Sequence, residues 1–247
     1  MVEAEPYTLL ARIYDGVMRH VDYSGWAEFV AGLIRAYAPS AENVLELGCG
    51  TGTLAGHLLQ GLDLRYHGID RSTEMIALAR QKLDSGPKVV LETGDFTSFA
   101  VADEFDAALL LYDGLNYLLS ESDVERLMRR VHGALAADGI FIVDQSTRAN
   151  SIENADFFED RGRVGSVSYV RQSRFDEIAG LHHTIFEIHA GAGVFCEHHI
   201  QRAYEVDEIA RIAERTGFEI EASLDGMTND PASARSVRVH WVLRRTG

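Results

Sequence analysis

Cysteine occurs only twice in the 247 residues, as Cys49 and Cys196. Two thiols this far apart, with no CxxC pair, exclude a disulfide-stapled secreted scaffold and a cysteine-built metal site, and make a reducing cytoplasm the expected setting. Proline occurs four times, too rarely for a disordered or collagen-like chain. Lysine is confined to Lys82 and Lys88, and 23 basic residues against 38 acidic ones leave a net charge of −15. A nucleic-acid backbone is therefore repelled on average, which disfavours it as a partner. No apolar run approaches the roughly 20 residues that span a bilayer, so no membrane partner is expected. Glu3 and Glu5 stand where a signal peptide carries positive charge.

What the chain does have is apolar material, 46% of its residues, enough to bury the core of one large domain or of a domain with a small addition. Residues 6–37 carry apolar side chains at helical spacing, with a break expected near Ser24-Gly25 and a stop at Pro39-Ser40. From Val44 to Val143 short apolar runs alternate with helix-like stretches, the rhythm of a doubly wound, mostly parallel α/β sheet. Three strand-like runs then follow at hairpin spacing, Val167–Phe175, Leu181–Ala190 and Val194–Tyr204, and predict an antiparallel meander. A helix over Asp207–Arg215, stopped by Gly217, precedes two last strands joined by the 226–234 loop, the final one antiparallel. The expected organisation is an N-terminal helical lid (1–40), a core (41–150 and 205–247) and an inserted antiparallel cap (151–204).

The strongest local signal is Val44-Leu45-Glu46-Leu47-Gly48-Cys49-Gly50-Thr51-Gly52-Thr53, an apolar strand running through alternating glycines into a helix. Glycine there permits positive φ and lets a ligand approach the backbone. The next strand ends at Asp70, placed to accept hydrogen bonds from both hydroxyls of a ribose lying across the strand tips. Glu46 discriminates between nucleosides: it would repel a pyrophosphate but attract a ligand with an amino group and a sulfonium. Asp95 follows the third strand in Gly94-Asp95-Phe96.

Taken together, Glu46–Gly52, Asp70, Gly94-Asp95-Phe96 and Phe105-Asp106 resemble the class I S-adenosylmethionine-dependent methyltransferases, closely over about residues 43–145. The resemblance implies a seven-stranded Rossmann-like sheet whose last strand is antiparallel, and S-adenosylmethionine as donor with S-adenosylhomocysteine as product. It implies that Gly48, Cys49, Gly50 and Gly52 line the methionine portion and ribose. Asp70 would hold the ribose hydroxyls, with Arg71 and Met75 beside it, and Gly94, Asp95 and Phe96 would meet the adenine. Leu111 and Tyr112 fall at the strand tip under the methionine, and Asp113, Asn116 and Tyr117 at the acceptor. Tyr7 and Tyr14 resemble the segment that lids the donor in small-molecule members, which makes Tyr14 a candidate cofactor and catalytic residue.

The cap resembles, loosely, that of amino-sugar and glycine-type N-methyltransferases. Ten histidines include the pairs His182-His183 and His198-His199 on adjacent predicted strands, and only one of each pair can face a common site. No metal is expected there, since three or four converging ligands are needed. His199, on one face with Glu197 and Gln201, is the candidate general base. The expected activity is direct in-line methyl transfer to nitrogen or oxygen of a small molecule. An RNA methyltransferase, with Arg126-Arg129-Arg130 or Arg161-Arg163 as basic patches, and a non-catalytic donor-binding regulator stand as alternatives; a homodimer is compatible with either reading.

Overall fold

The computed structural model describes residues 1–83, 86–102 and 104–247. Strand β1 (Val2–Ala4) and a 3₁₀ turn (Leu10–Ile13) lead to helices α1 (Tyr14–Val17) and α2 (Tyr23–Tyr37). The core runs β2 (Asn43–Leu47), α3 (Thr53–Gly61), β3 (Arg65–Asp70), α4 (Thr73–Lys82), β4 (Val89–Thr93), β5 (Phe105–Leu110), α5 (Glu121–Ala134) and β6 (Leu135–Ser146). A short helix α6 (Arg148–Glu153) opens the insertion, with β7 (Phe158–Val164), β8 (Val167–Asp176), β9 (Leu181–Ala190) and β10 (Gly193–Arg202). Helix α7 (Val206–Arg215), β11 (Phe218–Asp225) and β12 (Arg238–Arg245) complete the core.

Among the described residues the main sheet has seven strands in the order β11-β12-β6-β5-β2-β3-β4. Strand β12 is antiparallel to both β11 and β6, while β6, β5, β2, β3 and β4 run parallel. Parallel strands need cover on both faces, which is why their sequences read as near-continuous apolar runs. Here α5 and α7 cover one face through Leu127, Val131, Ile209 and Ile212, and α2 and α3 cover the other through Trp26, Val30, Leu54 and Leu58. The strand order reverses between β2 and β5, and the carboxyl ends of these strands open the crevice where open α/β sheets take ligands. Among the described residues no helix is long and apolar enough to cross a membrane.

The second sheet, β1-β10-β9-β8-β7, is the cap, and it differs from the expected meander at both edges. Strand β7 reads Phe-Glu-Asp-Arg-Gly-Arg-Val, a charged edge with apolar residues only at its ends, so no alternating signal marks it. Strand β1 is three residues long and pairs parallel with β10, from the far end of the insertion. The N-terminal 40 residues are therefore not purely helical: their first strand belongs to the cap sheet. The helical break also lies earlier than Ser24-Gly25. It falls between α1 and α2, and the Asp22 side chain caps α2 by accepting the Gly25 N–H at 2.9 Å. Gly217, at φ 90°, ends α7 as its sequence position implies.

Candidate active site

The glycine loop leaves β2 with Gly48, Gly50 and Gly52 all at positive φ, between 55° and 74°. A side chain at Gly52 would press on Ala79 and Leu83 of the neighbouring helix, whereas one at Gly50 would meet nothing within 4 Å. Gly52 is thus a packing requirement, and Gly50 faces open space, as a ligand cradle must. Asp70 fixes this loop: one carboxylate oxygen accepts the Gly50 N–H and the other the Ser72 N–H, both at 2.8 Å. Burial raises the Asp70 carboxyl above its ordinary range, and these two N–H bonds oppose the rise.

Glu46 is buried, and the Tyr66 hydroxyl donates to its Oε2 at 2.5 Å. Burial pushes its carboxyl up to about 7, the Asp70 charge adds to the rise, and the Tyr66 bond resists it. Gly68 allows this contact, since a Cβ there would lie 2.9 Å from the Tyr66 ring and hydroxyl. Tyr66 and Gly68 escape sequence reasoning because a strand tyrosine is usually a packing residue. Further along the strand tips, Gly94 N–H donates to the Asp70 carbonyl at 3.0 Å. The Asp95 carboxylate accepts from the Thr97 N–H and hydroxyl, which leaves its second oxygen free of contacts within its own turn. Phe96 packs against the main core and Arg71 is exposed at the lip.

A narrow crevice of about 50 Å³ is lined by Glu46, Gly48, Cys49, Gly50, Leu111 and Thr51, and beside it opens a cavity of about 690 Å³ under the cap. Tyr14 and Tyr112 are the side chains that line both spaces. Tyr112 and Asp113 stand consecutively at φ 63° and 66°, a left-handed backbone that disfavours non-glycine residues. The surroundings hold it. Asp144, fully buried, accepts the Asp113 N–H at 3.2 Å and pairs with Arg238, whose guanidinium is also 2.7 Å from Asp113 Oδ1. Gln201 donates to the Asp113 carbonyl, and the Tyr112 ring lies 5.3 Å from that of Trp26.

The N-terminal segment closes over the loop. Asp15 accepts from the Thr51 hydroxyl at 2.7 Å and pairs with Lys82 at 2.6 Å. Tyr7 accepts from the Ser72 hydroxyl through its carbonyl, and its ring lies edge-on to Tyr14 at 5.9 Å. Within the cavity His182 and His199 face inward, while His183 and His198 contact each other at 3.0 Å outside the cavity lining. One member of each pair thus faces the site, as strand alternation requires. His199 bonds Glu197 through Nε2 at 3.3 Å and the Tyr117 hydroxyl through Nδ1 at 2.9 Å.

Of the sequence candidates, Gly52, Asp70, Arg71, Met75, Gly94, Asp95, Phe96 and Asn116 line neither the crevice nor the large cavity. Met75 is buried beneath the first turn of α4 and lines neither space. Asn116 acts as a clamp: its amide NH₂ donates to the Ser146 and Arg202 carbonyls and its oxygen accepts the Ser146 N–H, while the residue also lines a small pocket shared with Asp113, His182 and Gln201. Because those bonds are out of reach of water, Asn116→Ala should lower unfolding free energy by about 2–4 kcal/mol in denaturant titration. An unchanged midpoint would return Asn116 to the acceptor set.

Known proteins resemble this chain in sequence and in fold. Residues 44–139 match the methyltransferase domain family. The chain is similar to the putative methyltransferase YqeM of Bacillus subtilis, 29% identical over 249 residues with 97% of each chain covered. It is 25% identical to the dTDP-3-amino-3,4,6-trideoxy-alpha-D-glucopyranose N,N-dimethyltransferase of Streptomyces venezuelae, over 82% of this chain and 86% of the relative. The solved structure of an S-adenosylmethionine-dependent methyltransferase from Clostridium acetobutylicum ATCC 824 shares the fold, with a TM-score of 0.82, 24% identity, and 98% and 99% of the two chains covered.

Proposed function

We propose that this chain is a class I S-adenosylmethionine-dependent methyltransferase and that it methylates an amine nitrogen of a small molecule held in the 690 Å³ cavity. The observation that carries this reading is the meeting of crevice and cavity at Tyr14 and Tyr112. Open space above Gly50 and the buried carboxyl of Glu46 suit the donor's methionine end, and Asp70, Asp95 and Phe96 suit its ribose and adenine. Bound there, the donor supplies an electrophilic sulfonium methyl, which the amine lone pair takes in line while the C–S bond's electrons leave with S-adenosylhomocysteine.

The residues position and desolvate. Tyr14 and Tyr112 form the walls through which nucleophile and methyl meet, a placement that can supply roughly 7–11 kcal/mol of the barrier. Glu153 and Asp156 line the cavity together with Arg171 and with Asp113, which is paired with Arg238; the two carboxylates not held by Arg238 favour an ammonium-bearing acceptor. Tyr117 lines the same wall, and His199 is the base. The acceptor is a small molecule rather than a nucleic acid: the cavity is bounded by the lid and cap, and the chain's charge is −15. The compartment in this reading is the cytoplasm, where both thiols would stay reduced. Transfer of tritiated methyl from S-adenosylmethionine to a panel of small primary amines, amino sugars among them, tests the reading. Label in an amine supports it, and label confined to RNA, or to none of the panel, counts against it.

The titration of Glu46 gives a second check. Its raised value, about 7, means that the free protein is protonated there below neutrality, while a cationic donor needs the carboxylate. Donor affinity should therefore fall several-fold from pH 7 to pH 6 with proton release on binding, and Glu46→Gln should bind more weakly but without this pH slope. Calorimetry in buffers of different ionisation enthalpy reads both. A wild-type affinity independent of pH over that range would show that Glu46 does not meet the donor's charge.

A further inference from the structure

We propose that Tyr7, Tyr117, His199 and Glu197 form a one-way proton relay whose open end, the Tyr7 hydroxyl, takes the proton from the acceptor's ammonium. The inference rests on reading His199 as the base of the methyl transfer, and it identifies the group through which that base reaches the substrate.

His199 cannot meet the acceptor directly, because both ring nitrogens are engaged, Nε2 with Glu197 and Nδ1 with Tyr117. The direction of every bond follows from Glu197. Burial alone would raise its carboxyl, but His199 and the N–H groups of Leu10, Leu9 and Tyr7 together hold it below the ordinary range, so it is ionised. An ionised carboxylate only accepts, so Nε2 carries a proton, and in the neutral imidazole that a base must be, Nδ1 is then an acceptor. Tyr117 therefore donates to Nδ1, and its oxygen is left to accept from the Tyr7 hydroxyl 2.5 Å away. The Tyr7 oxygen keeps a free lone pair, and Tyr7 lines the cavity. Tyr7 and Tyr117 both stay neutral phenols at working pH, chiefly because they are buried, which is the form a relay requires.

The proton count closes. One proton leaves the ammonium for the Tyr7 oxygen as the Tyr7 proton passes to Tyr117 and the Tyr117 proton to His199 Nδ1. The imidazolium so formed lies beside the Glu197 carboxylate, and the amine is left with its lone pair for the methyl. Tyr7 is the residue of the set that touches the acceptor; Tyr117 passes the proton on, His199 is the base that keeps it, and Glu197 positions His199. The same carboxylate binds the N–H groups of Tyr7, Leu9 and Leu10 at 2.6–2.9 Å, so the lid must be seated for the relay to exist.

Nitrogen-15 NMR of histidine-labelled protein, with His199→Asn used to assign the signal, tests the direction. Around His199 the titratable groups are Tyr7, Tyr117 and Glu197, with Asp113 close to both phenols. At neutral pH the wild type should show His199 neutral with its proton on Nε2. Tyr117→Phe should shift the Nδ1 signal to that of a nitrogen without a hydrogen bond, and Glu197→Gln should lose the single-tautomer state. A proton on Nδ1, or a ring charged at neutral pH, overturns the relay. Calorimetric titration of the same wild-type sample with S-adenosylmethionine separates the two ideas. Binding with the wrong tautomer sinks the relay alone, and absence of binding with the right tautomer sinks the methyltransferase reading instead.

Discussion

Replacing Asp70 with asparagine weakens S-adenosylmethionine binding by about 10- to 10²-fold, the loss expected when one of two charge-assisted hydrogen bonds of about 1.5–3 kcal/mol each is removed. Two contributions meet in this number. In the proposed pose the ribose hydroxyls would donate to this carboxylate at the tip of β3, and an amide accepts at only one of its ends. The same two oxygens hold the Gly50 and Ser72 N–H groups, so an amide also turns a donor against one of these donors and loosens the loop. Asp70→Ala separates the contributions, because it removes both holds without adding a donor. Calorimetric titration reads all three proteins. An asparagine variant that binds within threefold of wild type would mean that the ribose lies elsewhere.

Removing Glu197 has the largest expected effect on stability. Glu197→Ala strips the partner from three backbone N–H groups and from His199, at a site where the carboxylate itself is fully buried. Unsatisfied buried groups cost about 1–3 kcal/mol each, so a loss of at least about 3 kcal/mol is expected. For a chain of this size that is a fall in Tm of about 6–12 °C. The sign of the pH dependence follows from the depressed folded-state value. The stabilisation is present above the ordinary glutamate value of 4.5 and is lost as pH falls through the lower folded value, so wild type and variant converge in acid. Differential scanning calorimetry from pH 7 down through 4.5 checks this, and amide exchange should show Tyr7, Leu9 and Leu10 losing protection. Equal melting at pH 7 would contradict the account of the lid.

The parts of the site that were legible in the sequence are those built from neighbours along the chain. The glycine loop, Glu46 before it and Asp70 after the next strand announce themselves because parallel strands place their carboxyl ends side by side. The antiparallel last strand was readable from the 226–234 loop for the same local reason. What was not legible depends on partners far apart in the chain. Tyr7 and Glu197 are separated by 190 positions, and nothing at either position signals the bond between them. Asn116 looked like a site residue because it follows the strand tip, yet its amide is consumed by Ser146 and Arg202, 30 and 86 residues away. The strain at Tyr112 and Asp113 falls on two non-glycine residues while the adjacent Gly114 does not take the positive φ, and the Asp144 and Arg238 network that holds it comes from β6 and β12. Strand β7 was hidden because a charged edge strand carries no apolar period.

The position of the methyl group decides most directly between a methyl-transfer site at the two tyrosines and any other arrangement. A crystal structure with bound S-adenosylmethionine should place the sulfonium in the crevice beside Glu46, with its methyl passing between Tyr14 and Tyr112 into the large cavity under the cap. A donor seated in the large cavity, or a methyl turned toward the sheet and away from those two tyrosines, would contradict it.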